Sequence, residues 1–235
     1  MKPAPPPTSL LDRSAWFATL EPAQQALVRA TLVEKDAAIG ECVARVGETA
    51  AHWIGVDSGF LQMSVTAADG SETTLHFLRE GEWGGEGSML KREQRRYDVI
   101  AVRASRVCLL PAPTFELLLA QSVPFNNFLL NNLNQRMGTV TALLEASRML
   151  APDMRVARCL SLLAQGDDGD ALALPQHQLA NLCGLSRQRT NMALRALRSD
   201  GLVQLEGPRI RIVDFAGLAS HGAKAGGRRK SGRAA

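Results

Sequence analysis

The stretch that most constrains this chain runs from Leu174 to Val213, LPQHQLANLCGLSRQRTNMALRALRSDGLVQLEGPRIRIV. Apolar residues at Leu179, Ala180, Leu182 and Cys183 place a helix over Gln176 to Cys183. Gly184 can take the positive φ of a turn, and Leu185 would plug the angle between two helices. Ser186 suits the N-cap of a second helix. On that helix Thr190, Ala193, Leu194 and Leu197 repeat at three and four residues and form a buried stripe, which turns Arg187, Gln188, Asn191, Met192 and Arg195 outward. Asp200-Gly201 then breaks the pattern and Val203 and Leu205 alternate. Glu206-Gly207-Pro208-Arg209 makes a turn, and alternation resumes over Ile210 to Val213 with Arg209 and Arg211 exposed. The sum is a helix-turn-helix followed by a β wing.

The outward face consists of donors and positive charge. An Arg guanidinium matches the O6 and N7 of guanine and a Gln carboxamide the N6 and N7 of adenine, so Arg187 and Gln188 stand in the first turn, where a recognition helix meets base edges. Met192 offers apolar contact only, and Arg209 at the wing tip could touch phosphate. Ser186, Arg187, Gln188, Asn191, Met192, Arg195 and Arg209 are therefore the expected contacts to double-stranded DNA. A lone exposed Arg is usually a solvated side chain; here turn, cap, stripe, polar face and wing arrive in order.

Composition bounds the rest. With 235 residues and 46% hydrophobic content, the chain can bury the cores of one large or two modest domains. No apolar run approaches the roughly 20 residues that span a bilayer. The start, MKPAPPPTS, lacks the apolar core of a signal peptide, so neither membrane insertion nor export is expected and the expected compartment is the cytoplasm. Cys42, Cys108, Cys159 and Cys183 are scattered through apolar patterns with no C-x-x-C pair, which reads as reduced core thiols. The net charge of +4 is local: Lys224, Arg228, Arg229, Lys230 and Arg233 lie in the last fifteen residues, and setting these five cations aside leaves −1. That tail, 221–235, has the composition of a disordered segment with a sequence-independent attraction to phosphate.

Upstream, a Pro-rich lead over residues 1–9 precedes one or two helices between Leu11 and Leu32. From there to about Pro113 the period changes to short runs, His52 to Val56, Phe60 to Val65 and Thr74 to Phe77, separated by turns such as Ala68-Asp69-Gly70-Ser71. This is the signature of a small antiparallel barrel or jelly roll. Leu130, Leu133, Met137, Val140, Leu144, Ser147 and Ala151 then alternate at three and four, as on the seam of a coiled coil. A long helix there would pair with its copy, as a reader of two half-sites needs.

The order β domain, long helix, winged helix-turn-helix resembles the Crp/Fnr superfamily of bacterial transcription regulators over nearly the whole chain. Gly184-Leu185-Ser186-Arg187-Gln188 resembles the G-x-S-R-[EQ] lead into the family's recognition helix. The family's later Arg, six positions past the Ser, is Met192 here. The resemblance implies an α+β fold: an N-terminal antiparallel β-roll of the cyclic-nucleotide-binding type with its leading helices over 1–124, a dimerisation helix over 125–150, a winged helix-turn-helix over 151–220 and the basic tail. It implies a homodimer on a pseudo-palindromic site, with RNA polymerase as a further partner if the protein activates.

A second local match, Gly81-Glu82-Trp83-Gly84-Gly85-Glu86-Gly87-Ser88-Met89-Leu90, resembles the start of the family's phosphate-binding cassette. In cyclic-nucleotide-binding members the matching Glu accepts the ribose 2′-OH, and an Arg ten residues on pairs with the cyclic phosphate. The resemblance carries these roles to Glu86 and Arg96, with Gly85, Gly87 and Ser88 around the anion. Tyr97 replaces the small Ser or Thr that usually follows, and Asp98 stands where Ala is common. A count back from the reader sets Val140-Thr141 against the Thr-Ser pair that faces adenine in cyclic-AMP-binding members, which adds Thr141 to the effector set. Three readings stand together: a degenerate cyclic-nucleotide pocket, a site for another small effector, or a Glu86–Arg96 ion pair closing the roll with Tyr97 in the ligand's place.

Other classes find less support. An iron–sulfur sensor of this superfamily needs an N-terminal cysteine cluster, and no Cys precedes Cys42. A haem sensor would have to use His76, a lone His on an alternating strand. The chain carries no G-x-S-x-G elbow, no phosphate-binding G-x-x-x-x-G-K-[ST] loop and no H-E-x-x-H pair, so an enzyme is not expected. The remaining alternative is a ligand-binding or protein-interaction module whose helix-turn-helix does not read DNA sequence.

Overall fold

The computed structural model describes residues 9–164, 174–207 and 209–223. The chain divides into two compact units that meet in sequence between Asn134 and Gln135. In the first, helices α1 (Leu10–Arg13), α2 (Ala15–Ala18) and α3 (Pro22–Thr31) precede the strands, three helices where one or two were expected. The added break is at Ser14, whose extended backbone ends α1 and whose hydroxyl donates to the Leu10 carbonyl at 2.7 Å. Of the Pro-rich lead, only Ser9 lies among the described residues, where it caps α1.

The roll follows as β1 (Val33–Ala37), β2 (Cys42–Ala44), β3 (His52–Ser58), β4 (Phe60–Thr66), β5 (Glu72–Arg79), β6 (Trp83–Gly84), α4 (Glu86–Lys91), β7 (Asp98–Ala101) and β8 (Ser105–Pro111). Two four-stranded sheets result, ordered β1-β8-β3-β6 and β2-β7-β4-β5, with antiparallel pairing throughout. This is the expected jelly roll, and all three anticipated strands lie within longer ones. Alternation along β3 divides its side chains between two cores. Ile54 and Val56 join Leu61, Met63, Leu78, Val99 and Val107 in one, while Trp53 joins Trp16, Trp83, Phe115 and Phe125 in the other. The second core gathers all three tryptophans: Trp53 stacks on Trp83 at 4.5 Å between centroids, and Trp16 lies 5.2 Å from each.

After α5 (Ala112–Gln121), the long helix α6 spans Val123–Met149, 27 residues. Its start is anchored by Phe125 and Leu129, both buried in the tryptophan core. Ala151, placed on the seam by its spacing, lies beyond the helix, because the residue before Pro152 is turned out of helical geometry by the proline ring.

The second unit continues with α7 (Pro152–Ala164), α8 (Gln176–Cys183), α9 (Arg187–Ser199), β9 (Val203–Glu206), β10 (Arg209–Ile212) and α10 (Phe215–Ala223). α7 packs against α8, α9 and α10. Arg155 reaches across from α7 to donate to the Cys183 carbonyl at 3.4 Å, tying down the end of α8. Of the tail expected to be disordered from His221, residues 221–223 are helical. Leu218 and Gly222 of α10 are buried, and His221 meets Asp153 of α7 at 3.1 Å, so packing on α7 carries the helix past the change in composition. Lys224 and the rest of the tail lie outside the described residues. Among the described residues, no helix is long and apolar enough to cross a membrane.

Candidate nucleic-acid interface and effector cassette

α8 ends at Gly184 in the left-handed region, φ 60°, and the turn is closed by the Leu185 N–H donating to the Ala180 carbonyl at 3.0 Å. Glycine adopts that geometry without strain. Ser186 then caps α9, its hydroxyl accepting from the Arg189 N–H at 3.3 Å. The buried face of α9 is Thr190, Ala193, Leu194 and Leu197, the stripe read from spacing. The Thr190 hydroxyl is satisfied locally by the Ser186 carbonyl at 3.1 Å.

Rotation of about 100° per residue puts Gln188, Met192 and Arg195 in a ridge opposite that stripe. All three are exposed, Met192 at 64%. Arg187 is exposed and Asn191 half-buried, and the two flank the ridge on one side. Arg189, left out of the sequence-based set, is exposed on the other flank, and Arg198 is exposed on the Arg187 and Asn191 flank, one turn beyond Arg195. The same 100° arithmetic would have found both. Within the described residues, none of Arg187, Arg189, Arg195 or Arg198 forms an ion pair, so the helix presents uncompensated guanidinium groups.

On the wing, β9 and β10 pair in register, Arg209 opposite Glu206 and Ile210 opposite Leu205. Ile210 and Val203 are buried, and Arg209 is exposed at the tip. Arg211 is partly neutralised by Glu206 at 3.2 Å. Pro208 lies outside the described residues.

The cassette is built on the roll. Gly85 sits in the left-handed region at φ 86° and leads into α4, where Gly87 is half-buried and Ser88 buried. Glu86 is fully buried, 0% exposed, and its carboxylate accepts from the Trp53 indole N–H at 3.3 Å. Beyond α4 the chain turns at Arg92, held at φ 53°, and Gln94 bridges to Thr49 while the Arg95 N–H donates to the Glu48 carbonyl at 2.8 Å. Around this bridge Gln94, Arg95 and Arg96 alternate outward, inward and outward. Arg95 turns inward, 4% exposed, and Arg96 turns outward onto Glu93 at 3.0 Å.

The arginine expected within the cassette, ten residues past Glu86, is thus a surface residue, and its neighbour occupies the interior. Arg95 donates through Nη2 to the His52 carbonyl at 2.5 Å, while the buried Nη1 has no partner and lies 2.6 Å from where a Cβ on Gly85 would stand. Burial lowers the Arg95 pKa, against the opposing pull of Tyr97 and Glu48. Tyr97 is half-buried and packs against the core between the two sheets. Thr141 is exposed on the part of α6 that lies in the second unit.

Comparison with known proteins agrees with both halves. Residues 34–122 match the cyclic nucleotide-binding domain family, and residues 154–221 match the Crp-like helix-turn-helix domain. A CRP-like cAMP-activated global transcriptional regulator from Mycobacterium tuberculosis is 27% identical over 217 residues, 89% of this chain and 97% of that one. A cyclic AMP receptor protein from Thermus thermophilus is 29% identical over 150 residues, 64% of this chain and 69% of its own length. Among solved structures, a Crp/Fnr-family transcriptional regulator from Eubacterium rectale covers 90% of this chain and 99% of its own at a TM-score of 0.70, with 21% identity, which speaks for the fold. A roll of the cyclic-nucleotide-binding type joined to a Crp-like helix-turn-helix defines a transcription regulator. The chain belongs to the Crp/Fnr superfamily.

Proposed function

We propose that the chain binds double-stranded DNA as a homodimer on a pseudo-palindromic site, each α9 reading one half-site. The observation that carries this reading is the outward face of α9: a cap, a satisfied buried stripe, and opposite them Gln188, Met192 and Arg195 flanked by Arg187 and Asn191. Arg187 and Gln188 take base edges and Met192 an apolar contact such as a thymine methyl, while Arg189 and Arg209 take phosphate. Pairing of the two copies runs along α6, where Leu130 is 64% exposed, Met137 65% and Leu144 49%. Apolar side chains repeating every seven residues in solvent are what a helix partner would cover. If the regulator activates, RNA polymerase is its further partner.

The cassette is proposed to be a degenerate cyclic-nucleotide pocket. Glu86 and Arg95 supply the chemistry for a hydroxyl and an anion, and the unpartnered Nη1 of Arg95 is a donor held ready in a buried site. Tyr97, half-buried against the core of the roll, supports the degenerate reading by its bulk, since it stands where the resemblance expects a small Ser or Thr.

The test is selection of short genomic DNA fragments on the purified protein at about 0.15 M salt, with and without cyclic AMP, a choice prompted by the Mycobacterium tuberculosis relative. The expected result is one two-fold symmetric motif recovered in both arms. Recovery only with the nucleotide would overturn the degenerate pocket and make Glu86 and Arg95 its clamp. Recovery of no motif would move the helix-turn-helix to the protein-interaction reading.

A further inference from the structure

Between Glu116 and Arg136 the sequence contains no charged residue, yet this stretch includes the exposed first half of α6. Exposed helical faces ordinarily carry charge. Here the solvent-facing side chains are Val123 and Pro124 at the helix start and then Asn127, Leu130, Asn131, Asn134 and Gln135, apolar groups among carboxamides. Such a face suits one partner above others. In a two-fold contact, residues near the axis meet their own counterparts, so a charge there would face the same charge. A carboxamide carries both donor and acceptor and can bond its own copy.

We infer that Asn134 fixes the register and the parallel direction of the α6 pair by hydrogen-bonding Asn134 of a second copy of this chain. The inference rests on the homodimer reading and deepens it. Leu130, Met137 and Leu144 recur at seven residues on one face, and Asn127, Asn134 and Thr141 recur at seven directly beside them. In heptad terms the leucine and methionine line takes one core position and, over the first half of α6, the asparagine line takes the other in place of Leu133. A polar Asn within an otherwise apolar seam lowers association strength and selects the alignment in which it meets a partner able to satisfy it. A slip of three or four residues, or an antiparallel alignment, leaves the carboxamide against Leu130 or Met137 of the second copy, desolvated and without a bond, and a slip of a whole heptad, which sets it against Asn127 or Thr141, gives up one layer of the seam. Of the alternative seam line from spacing, Leu133 is half-buried and Val140 is 52% exposed, so it is over the first half of α6, where Asn127 and Asn134 are exposed, that the asparagine side is the more open to a partner.

The full-length protein is tested in two ways. Asn134→Cys under mild oxidation should give a disulfide-linked dimer, because a residue on the axis of a parallel, in-register pair meets itself; Thr139→Cys, on another face of the helix, should not. In sedimentation, Asn134→Leu should associate more tightly than the unsubstituted protein while losing its single dimeric species to a mixture that includes larger assemblies. An unsubstituted dimer in which Asn134→Cys does not cross-link overturns the inference. So does a cross-linking Asn134→Cys combined with an Asn134→Leu that remains a clean dimer. An unsubstituted chain that stays monomeric at every concentration overturns the homodimer reading itself, which keeps the two failures distinct.

Discussion

The Nη1 of Arg95 and the α-carbon of Gly85 share one space: a methyl group on Gly85 would stand 2.6 Å from that nitrogen. Gly85 also holds φ 86°, so a side chain there is strained twice, by backbone and by contact. Gly85→Ala should cost about 1–3 kcal/mol of stability in the roll, read as a lower urea midpoint with an unchanged slope. Gly87, with open space around its α-carbon and a negative φ, is the control. Gly87→Ala in a helix should be neutral or stabilising by about 0.5–1 kcal/mol.

The α9 surface separates reading from holding. Arg187→Ala should cost about 1–3 kcal/mol at one base pair per half-site and relax the selected motif at that position. Arg189→Ala should weaken binding to all sequences alike and reduce the salt dependence by roughly one phosphate's worth. A uniform loss for Arg187→Ala would move that residue to the phosphate class. Titration of matched and mismatched operators at two salt concentrations distinguishes the outcomes.

Ser186 supplies the hydroxyl that caps α9 and the carbonyl that satisfies Thr190. Only the first is lost in Ser186→Ala, which should cost about 0.5–2 kcal/mol. Ser186→Asp should keep the cap, and its thermal midpoint should stay near that of the unsubstituted protein. Its negative charge should nonetheless weaken DNA binding, so stability and affinity part company in this one variant.

His52 predicts a pH dependence of the roll. Burial, and then the positive charge of Arg95, hold its pKa below the ordinary 6.5. Below 6.5 the unfolded chain therefore takes up a proton that the folded chain still refuses, and stability falls as the pH drops through that window. Asp12, Glu41 and Glu93 are held low by Arg29, Lys35 and Arg96, and their own loss of stability begins only in the carboxylate range, below about pH 5. Denaturation between pH 7 and 5 should show a decline that His52→Gln reduces. An equal slope in both proteins would assign the decline to other groups.

The two arginines after α4 show where reading residues one by one stops working. Arg95 and Arg96 are identical in chemistry, and ten-residue spacing from Glu86 selects the second. The structure brings in the first, because Arg92 takes a left-handed turn and Gln94 pairs with Thr49, a residue 45 positions away, which sets the in-out alternation. Register between distant strands is invisible to local pattern. The same is true of Trp53: alternation along β3 says that it and Ile54 face opposite ways, but only the assembled sheets show that its side is the one shared with Trp16, Trp83 and Glu86.

What the amino-acid order determined by itself is everything governed by contacts within a few residues. It dictated the α9 stripe, the Ser186 cap, the Gly184 turn, the wing strands and the exposed heptad face of α6, since helical rotation, strand alternation and capping are local geometry. Tertiary structure decided which arginine enters the cassette, which face of β3 carries the aromatic core, where Glu86 finds its donor, and that α10 continues to Ala223 against α7. Each of those rests on a pairing between segments far apart in sequence, where the entropy of loop closure and the packing of whole faces select among alternatives that the local pattern leaves equal.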